Sequence, residues 1–113
     1  MWAARLEEPG RIASIEAEPP TLAQPLSGDV LLRILAGGIC GSDVPKFRGL
    51  RGGATSPREP TFPGPVGFPL HEVVGEVVVS GSTELQEGQR VVGWAGSSDG
   101  LAELVVTAAT DLV

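Results

Sequence analysis

The chain has 113 residues, 42% of them hydrophobic, and a formal net charge of −6. This length suits one domain with its own core, and the acidic balance argues against a nucleic-acid binder, which usually shows a basic face. The single cysteine excludes an internal disulfide framework, no apolar run nears the roughly 18 residues that span a membrane, and the N-terminus lacks a signal-peptide pattern. We therefore expect a soluble cytoplasmic protein.

The first part of the chain predicts short strands joined by turns, which the 16 glycines and 10 prolines also favour. Weak strand candidates cover Trp2–Leu6 and Arg11–Glu16, with a Pro-Gly turn between them. A polar, Pro-rich connection follows at 18–29. Apolar residues then alternate between two faces over 30–35, which predicts a third strand.

A short helix is predicted next, within GGICGSDVPKF at 37–47. Ser42 or Asp43 can cap a helical turn, with Pro45 near its start. The stretch 48–69 has no hydrophobic period, and a loop of this length in a compact domain is usually functional or disordered. A basic cluster overlaps its start and forms either a solvated loop or the rim of a cleft for an anionic substrate: Lys46, Arg48, Arg51 and Arg58.

The second half of the chain contains the clearest strand signals. A valine-rich run at 73–79 is interrupted by Gly75, which predicts a strand with a bulge or a tight bend. Further strands are predicted at 90–94, after a Glu-Gly turn, and over 101–108, after a turn at 96–100. Six or seven strands with at most one or two short helices predict a mainly β protein, built as a small, partly open barrel.

The only cysteine and the only histidine of the chain stand in settings that favour a shared metal site. Cys40 follows a strand and is close to Ser42 and Asp43, while His71 precedes a strand and is followed by Glu72. Zinc accepts thiolate and imidazole ligands, and a nearby carboxylate could fix the histidine tautomer. Each residue alone is more often structural. If they share zinc, the Cys40 Sγ and a His71 ring nitrogen should lie within about 4 Å.

Four short motifs follow one another along the chain: GICGSD at 38–43, HEVVG at 71–75, EGQRV at 87–91 and GLAELVV at 100–106. Together they resemble the N-terminal, GroES-like catalytic domain of the zinc-dependent medium-chain alcohol dehydrogenases. The resemblance implies that 1–113 is this domain, incomplete, folded as a GroES-like partly open β-barrel. It also implies an oxidoreductase that binds Zn²⁺ and moves hydride between an alcohol or carbonyl substrate and NAD(P).

The resemblance implies a role for each site residue. Cys40 and His71 match the zinc-binding cysteine and histidine, and Glu72 matches a glutamate that ligates zinc in some members only. Ser42 matches the hydroxyl that touches the substrate alcohol and passes on its proton. Asp43 matches the acid that supports the zinc-bound histidine. Catalysis would thus involve Ser42, Cys40 and His71, with zinc lowering the pKa of the bound alcohol.

The chain departs from the family pattern at several positions. Leu70 stands where the family usually has glycine, Gln89 replaces a usual aspartate, and Pro45 occupies a position where some members carry a relay histidine. No cluster of four cysteines follows Arg90, so the family's structural zinc lobe is absent. The usual third zinc ligand lies beyond Val113 or is missing.

The largest departure is length. No strand is followed by G-x-G-x-x-G and a helix, so the nucleotide-binding Rossmann domain is absent from this sequence, and the chain alone should not transfer hydride. We expect an apolar surface where that domain would pack, which homodimerisation could also cover. The expected partners are that domain and a small-molecule substrate, not nucleic acid or a membrane.

Two other interpretations stay open. Zinc-free relatives of this family reduce quinones or enones, and the cysteine and histidine could be remnants of a lost site. The domain could also be a non-enzymatic GroES-like assembly module, because a fold does not fix a function. Metal content separates the zinc enzyme from both.

Overall fold

A computed structural model describes residues 1–50 and 61–113. It contains six strands, one short α-helix and one 3-10 turn in this part of the chain. In chain order these are β1 (Trp2–Glu8), β2 (Arg11–Glu16), β3 (Asp29–Gly38), α1 (Asp43–Phe47), β4 (Glu72–Ser80), β5 (Arg90–Trp94), β6 (Leu104–Ala108) and the 3-10 turn (Ala109–Asp111). The predicted mainly β class is confirmed. Neither helix in the two described ranges is long and apolar enough to cross a membrane.

The strands form two antiparallel sheets. One has four strands in the order β5-β4-β3-β6, and the other is the β1–β2 hairpin. The hairpin joins the larger sheet through an isolated bridge between Ala3 and Ala102, and the Ala4 N–H donates to the Leu101 carbonyl at 2.8 Å. The sheets wrap around one core without closing completely, which is the partly open barrel that the strand count predicted.

The core is built from the inward faces of these strands. In β3, Val30 and Leu32 are fully buried and Leu31 on the opposite face is also buried, so the start of the strand is covered on both sides, whereas Arg33 is exposed. Branched side chains suit such pleated, buried positions, and burying one contributes about 1.5–3 kcal/mol. The largest side chains with almost no exposure are Leu6, Val30, Leu32, Val77 and Val105.

A bulge bends the β3–β4 pair near its middle. The register shifts between Ile34 and Ala36, so Leu35 is the extra residue, opposite the pair Val74–Gly75. A Cβ on Gly75 would lie 3.0 Å from the Arg33 carbonyl oxygen, closer than side chains normally approach. The predicted irregularity at Gly75 is therefore present, but the inserted residue lies in the partner strand β3. Gly75 provides the space in which the two strands approach closely.

The segment 64–71 runs between β1 and the turn at 95–101. Backbone hydrogen bonds of 2.7 to 3.0 Å hold it on both sides. On the β1 side, the N–H groups of Gly64 and Gly67 donate to the carbonyls of Leu6 and Ala4. On the other side, the carbonyls of Gly67, Leu70 and His71 accept from the N–H groups of Leu101, Gly100 and Ala95. The end of the predicted loop is thus an ordered part of the barrel wall, and it leads directly into the histidine.

Gly67 lies at the tightest point of this segment. Its φ is +83°, and an added Cβ would overlap the backbone of Asp99. Only glycine combines this backbone conformation with so close an approach. Gly67 therefore allows the segment and the 95–101 turn to pack together.

Candidate metal centre

Cys40 lies just after β3, in a turn that its own neighbours close. Its N–H donates to the Asp43 Oδ2 at 2.9 Å, and the Asp43 N–H donates back to the Cys40 carbonyl at 3.1 Å. Ser42 is the N-cap residue of α1, but its side chain makes no capping bond; its Oγ lies 2.9 Å from the Cys40 Sγ instead. Neither predicted cap is formed, because both side chains bind to Cys40.

His71 is positioned by contacts from distant parts of the chain. Its carbonyl accepts from the Ala95 N–H at 2.7 Å, and the carbonyl of Leu70 accepts from the Gly100 N–H at 2.8 Å. The Leu70 side chain is buried against β3, where a Cβ on Gly37 would collide with it. The leucine that departs from the family pattern is thus accommodated by a glycine across the sheet.

The Cys40 Sγ and the His71 Nε2 lie 3.5 Å apart. This confirms the predicted proximity of the two residues. Two tetrahedral zinc ligands with the usual Zn–S and Zn–N bond lengths would be about 3.6 Å apart, so the observed separation fits a shared ion. That they bind zinc stays a prediction.

Glu72 supplies an oxygen to the same cluster. One ligand atom each from Cys40, His71 and Glu72 all lie within 4.8 Å of one another. A Cβ on Gly38 would be 3.1 Å from the Glu72 Oε2, so this glycine leaves room for the carboxylate. Sulfur, nitrogen and oxygen in one cluster are the donor set that zinc prefers, and the residues present therefore fit that metal.

The far side of the imidazole faces a buried carboxylate. The His71 Nδ1 lies 3.1 Å from the Asp43 Oδ1, and the two side chains are 17% and 5% exposed. The pair does not meet hydrogen-bond geometry, and neither atom has another partner among the described residues. Asp43 thus lies next to the Nδ1 of His71, and its role in supporting that histidine stays a prediction.

Trp94 is a neighbour of His71 that sequence reasoning missed. It ends β5, directly opposite Glu72 in the register of the β4–β5 pair. Its ring stacks on the imidazole, with the ring centroids 5.3 Å apart and an angle of 19° between the planes. A tryptophan that closes a strand was the available signal, but only the register places it beside His71.

A profile of the alcohol dehydrogenase GroES-like domain matches residues 26–113. The chain belongs to this family. The zinc-type alcohol dehydrogenase B of Aspergillus flavus is 34% identical over 95 residues, which is 81% of this chain. The chain spans only 19% of the length of that protein. The predicted family is thereby confirmed.

Solved structures of full-length oxidoreductases share this GroES-like fold. An alcohol dehydrogenase from Thermus sp. ATN1 is 38% identical with a TM-score of 0.64, covering 82% of this chain and 24% of its own. A quinone oxidoreductase from Thermus thermophilus is 26% identical with a TM-score of 0.68, covering 100% of this chain and 32% of its own. Both zinc-type and quinone-reducing proteins are therefore among the relatives.

Two apolar cavities flank the candidate metal centre of this GroES-like domain. One, of about 560 Å³, borders Asp43 and Leu70, and the other, of about 490 Å³, borders Glu72 and Trp94. Several side chains around the larger cavity are at least one-third exposed although they are large and apolar: Trp2, Ile12, Leu35, Ile39, Val44 and Phe47. The described surface thus includes the kind of apolar face that was expected.

The predicted basic cluster lies only partly within the described residues. Lys46 of the basic cluster contacts the Ser98 hydroxyl, with Nζ and Oγ 3.4 Å apart, while Arg51 and Arg58 lie outside the described residues. In the same turn, burial raises the pKa of the Asp99 carboxyl, whose Oδ1 has no hydrogen-bond partner in the described ranges. The hypothesis of a basic cleft rim stays a prediction.

Proposed function

We propose that this chain is the catalytic-domain part of a zinc-dependent alcohol dehydrogenase, with Cys40 and His71 as zinc ligands and Glu72 as a third. The observation that carries the proposal is the 3.5 Å separation of the Cys40 Sγ and the His71 Nε2. Two side chains from separate loops converge there, with a carboxylate beside them. The similarity to a zinc-type alcohol dehydrogenase supports the same metal.

Zinc bound there would supply Lewis-acid chemistry that polarises the oxygen of an alcohol or carbonyl substrate. The chain's own residues would do the rest. The exposed Ser42 hydroxyl, 2.9 Å from the Cys40 Sγ, stands where it can exchange a proton with a substrate at the centre. Asp43 would keep the Nδ1 side of His71 facing inward, so that Nε2 is free to bind the metal.

The hydride acceptor, NAD(P), would bind to a separate nucleotide-binding domain, because no glycine-rich fingerprint occurs in this sequence. The apolar face around the larger cavity offers a surface on which such a domain could pack. We propose on this basis that the domain, 1–113, is incomplete as an enzyme and inactive alone.

Metal analysis of the purified chain tests the proposal. We expect about one zinc per chain after incubation with Zn²⁺ and removal of free ion, and its loss in both Cys40→Ser and His71→Ala. Glu18→Gln, an exposed change in the Pro-rich connection, serves as the control and should retain the metal. With Co²⁺ in place of zinc, a thiolate-to-metal absorption band should appear and should vanish in Cys40→Ser.

A second candidate is a zinc-free quinone or enone reductase-like domain. The 26% identity to a quinone oxidoreductase over the whole chain supports it. Under this alternative the wild-type chain would take up no zinc even at saturating Zn²⁺, and Cys40→Ser would change nothing. The cluster of Cys40, His71 and Glu72 favours the zinc enzyme over this candidate and over an assembly module, since neither requires these ligands together.

A further inference from the structure

The Trp94 side chain lies between solvent and the candidate metal centre. It is 49% exposed, yet one face of its ring lies against His71. Offset or parallel contact between aromatic rings is favourable at this separation, beyond the burial that it brings. The contact therefore acts on a predicted metal ligand rather than on the core.

The other contacts of the imidazole leave one motion free. The Nδ1 faces Asp43 and the Nε2 faces Cys40, so both contacts are made at the ring edge. Neither contact resists a tilt of the imidazole plane about the line that joins the two ring nitrogens. The χ2 torsion of a histidine, which sets this plane, has broad energy minima. A flat group against the ring face resists that tilt.

The backbone keeps Trp94 and His71 in a fixed relation. The Trp94 carbonyl accepts from the buried Thr107 hydroxyl at 2.9 Å, and the next residue, Ala95, donates its N–H to the His71 carbonyl at 2.7 Å. Trp94 also pairs with Glu72 across the β4–β5 ladder. Both rings thus stand on backbone segments that are bonded to each other, so the two side chains start from fixed positions that favour their contact.

We propose that Trp94 is a positioning residue of the metal centre. Its indole holds the imidazole plane of His71, so that Nε2 faces the Cys40 Sγ before a metal ion arrives. The proposal rests on the proposed function, because it assumes that His71 is a zinc ligand. Trp94 would hold His71 in its binding orientation, so that the imidazole needs less rearrangement when zinc binds.

Zinc affinity tests this role with two substitutions of different shape. Trp94→Phe keeps a flat ring, and Trp94→Leu keeps apolar bulk without one. We expect Trp94→Leu to weaken Zn²⁺ binding by about two- to tenfold, the range for loss of one aromatic contact, and Trp94→Phe to restore most of it. Affinity would be measured by competition with a chromophoric chelator. Trp2→Phe, which changes the other tryptophan, in β1 and outside the stack of Trp94 on His71, should bind as the wild type does.

A spectroscopic measurement separates positioning from general packing. The Co²⁺-loaded chain should show altered ligand-field bands in Trp94→Leu and nearly unchanged bands in Trp94→Phe and Trp2→Phe. Wild-type affinity and bands in Trp94→Leu would overturn the proposal. Equal losses in the leucine and phenylalanine variants would also overturn it, because a flat ring would then bring no advantage.

The metal-free chain provides an independent test. As the only histidine, His71 gives one set of imidazole proton signals by NMR, and the indole should shift them upfield. That shift should disappear in Trp94→Leu while signals of the core stay in place. Imidazole signals unchanged by Trp94→Leu would overturn the proposal. A wild-type chain that shows the shift but binds no zinc would contradict the proposed function and leave only the stacking of Trp94 on His71 established.

Discussion

The two sides of the candidate metal centre are held in different ways. On one side, Cys40 sits in a turn whose hydrogen bonds stay within 40–43. On the other, His71 depends on the segment 64–71, which is bonded to β1 and to the 95–101 turn. Cys40 is therefore positioned locally, whereas His71 is positioned by the packing of 64–71 against β1 and the 95–101 turn. Changes far from the centre should disturb His71 and leave Cys40 in place.

The strongest test of this comparison is Gly67→Ala, which acts on the His71 side. A Cβ there would overlap the Asp99 backbone at a φ of +83°, so we expect a loss of about 3 kcal/mol or more in the free energy of unfolding. Gly88→Ala is the matched control, since its φ is also +83° but nothing lies within 4 Å. It should cost only about 1 kcal/mol. Urea unfolding of both variants measures the difference. Equal losses of unfolding free energy would contradict the close packing of Gly67 against Asp99.

A smaller effect is expected from Gly37→Ala. The new methyl group would collide with Leu70, and overpacking of this kind typically costs about 1–3 kcal/mol. Leu70→Ala leaves a gap of its own in the core, so the double variant Gly37→Ala/Leu70→Ala should lose less stability than the sum of the two single variants, because the colliding side chain is removed. Gly41→Ala, in the Cys40 turn with nothing within 4 Å, should be nearly neutral. Strictly additive losses in the double variant would mean that the collision is not the cause.

The smallest effect concerns the pH dependence of stability at Asp99. Because burial raises the pKa of this carboxyl, the folded chain holds the proton more tightly than the unfolded chain does. Its ionisation therefore costs stability, and this cost appears as the pH rises above the usual aspartate pKa of about 3.9. Asp99→Asn should thus gain stability relative to the wild type between about pH 4 and neutrality, while showing no gain at lower pH.

Thermal unfolding across this pH range measures that gain. Glu87→Gln, at an exposed position in the Glu-Gly turn, is the control and should show no comparable trend. If the stability of the wild type and of Asp99→Asn showed the same pH dependence, the burial of Asp99 would not affect stability in the way described by its raised pKa.

The same division explains what could be predicted from the sequence. Local sequence signals correctly predicted β2 at Arg11–Glu16 and the helical turn after Cys40. The ordered motifs correctly predicted the family and the proximity of Cys40 and His71. The extra residue at Leu35 and the stack of Trp94 on His71 could not be predicted, because both depend on which residues face each other across paired strands. Such registers follow from the whole barrel, not from a window of sequence.

The capping prediction failed for a related reason. Ser42 and Asp43 have the residue types that cap helices, and their positions were suitable. Instead, the Asp43 carboxylate accepts from the Cys40 backbone N–H and the Ser42 hydroxyl contacts the Cys40 Sγ, so both side chains serve the Cys40 turn and not the helix end. Residue type indicates which bonds a side chain can form, whereas the choice between competing partners is made by the folded geometry.

The contact between Gly37 and Leu70 also bears on the order in which substitutions can accumulate. With a leucine at residue 70, a side chain at residue 37 would need part of the same space, so a substitution there would require Leu70 to shift. A change at residue 37 should therefore be tolerated better together with a smaller residue 70 than alone. Each position restricts the mutations that the other can tolerate.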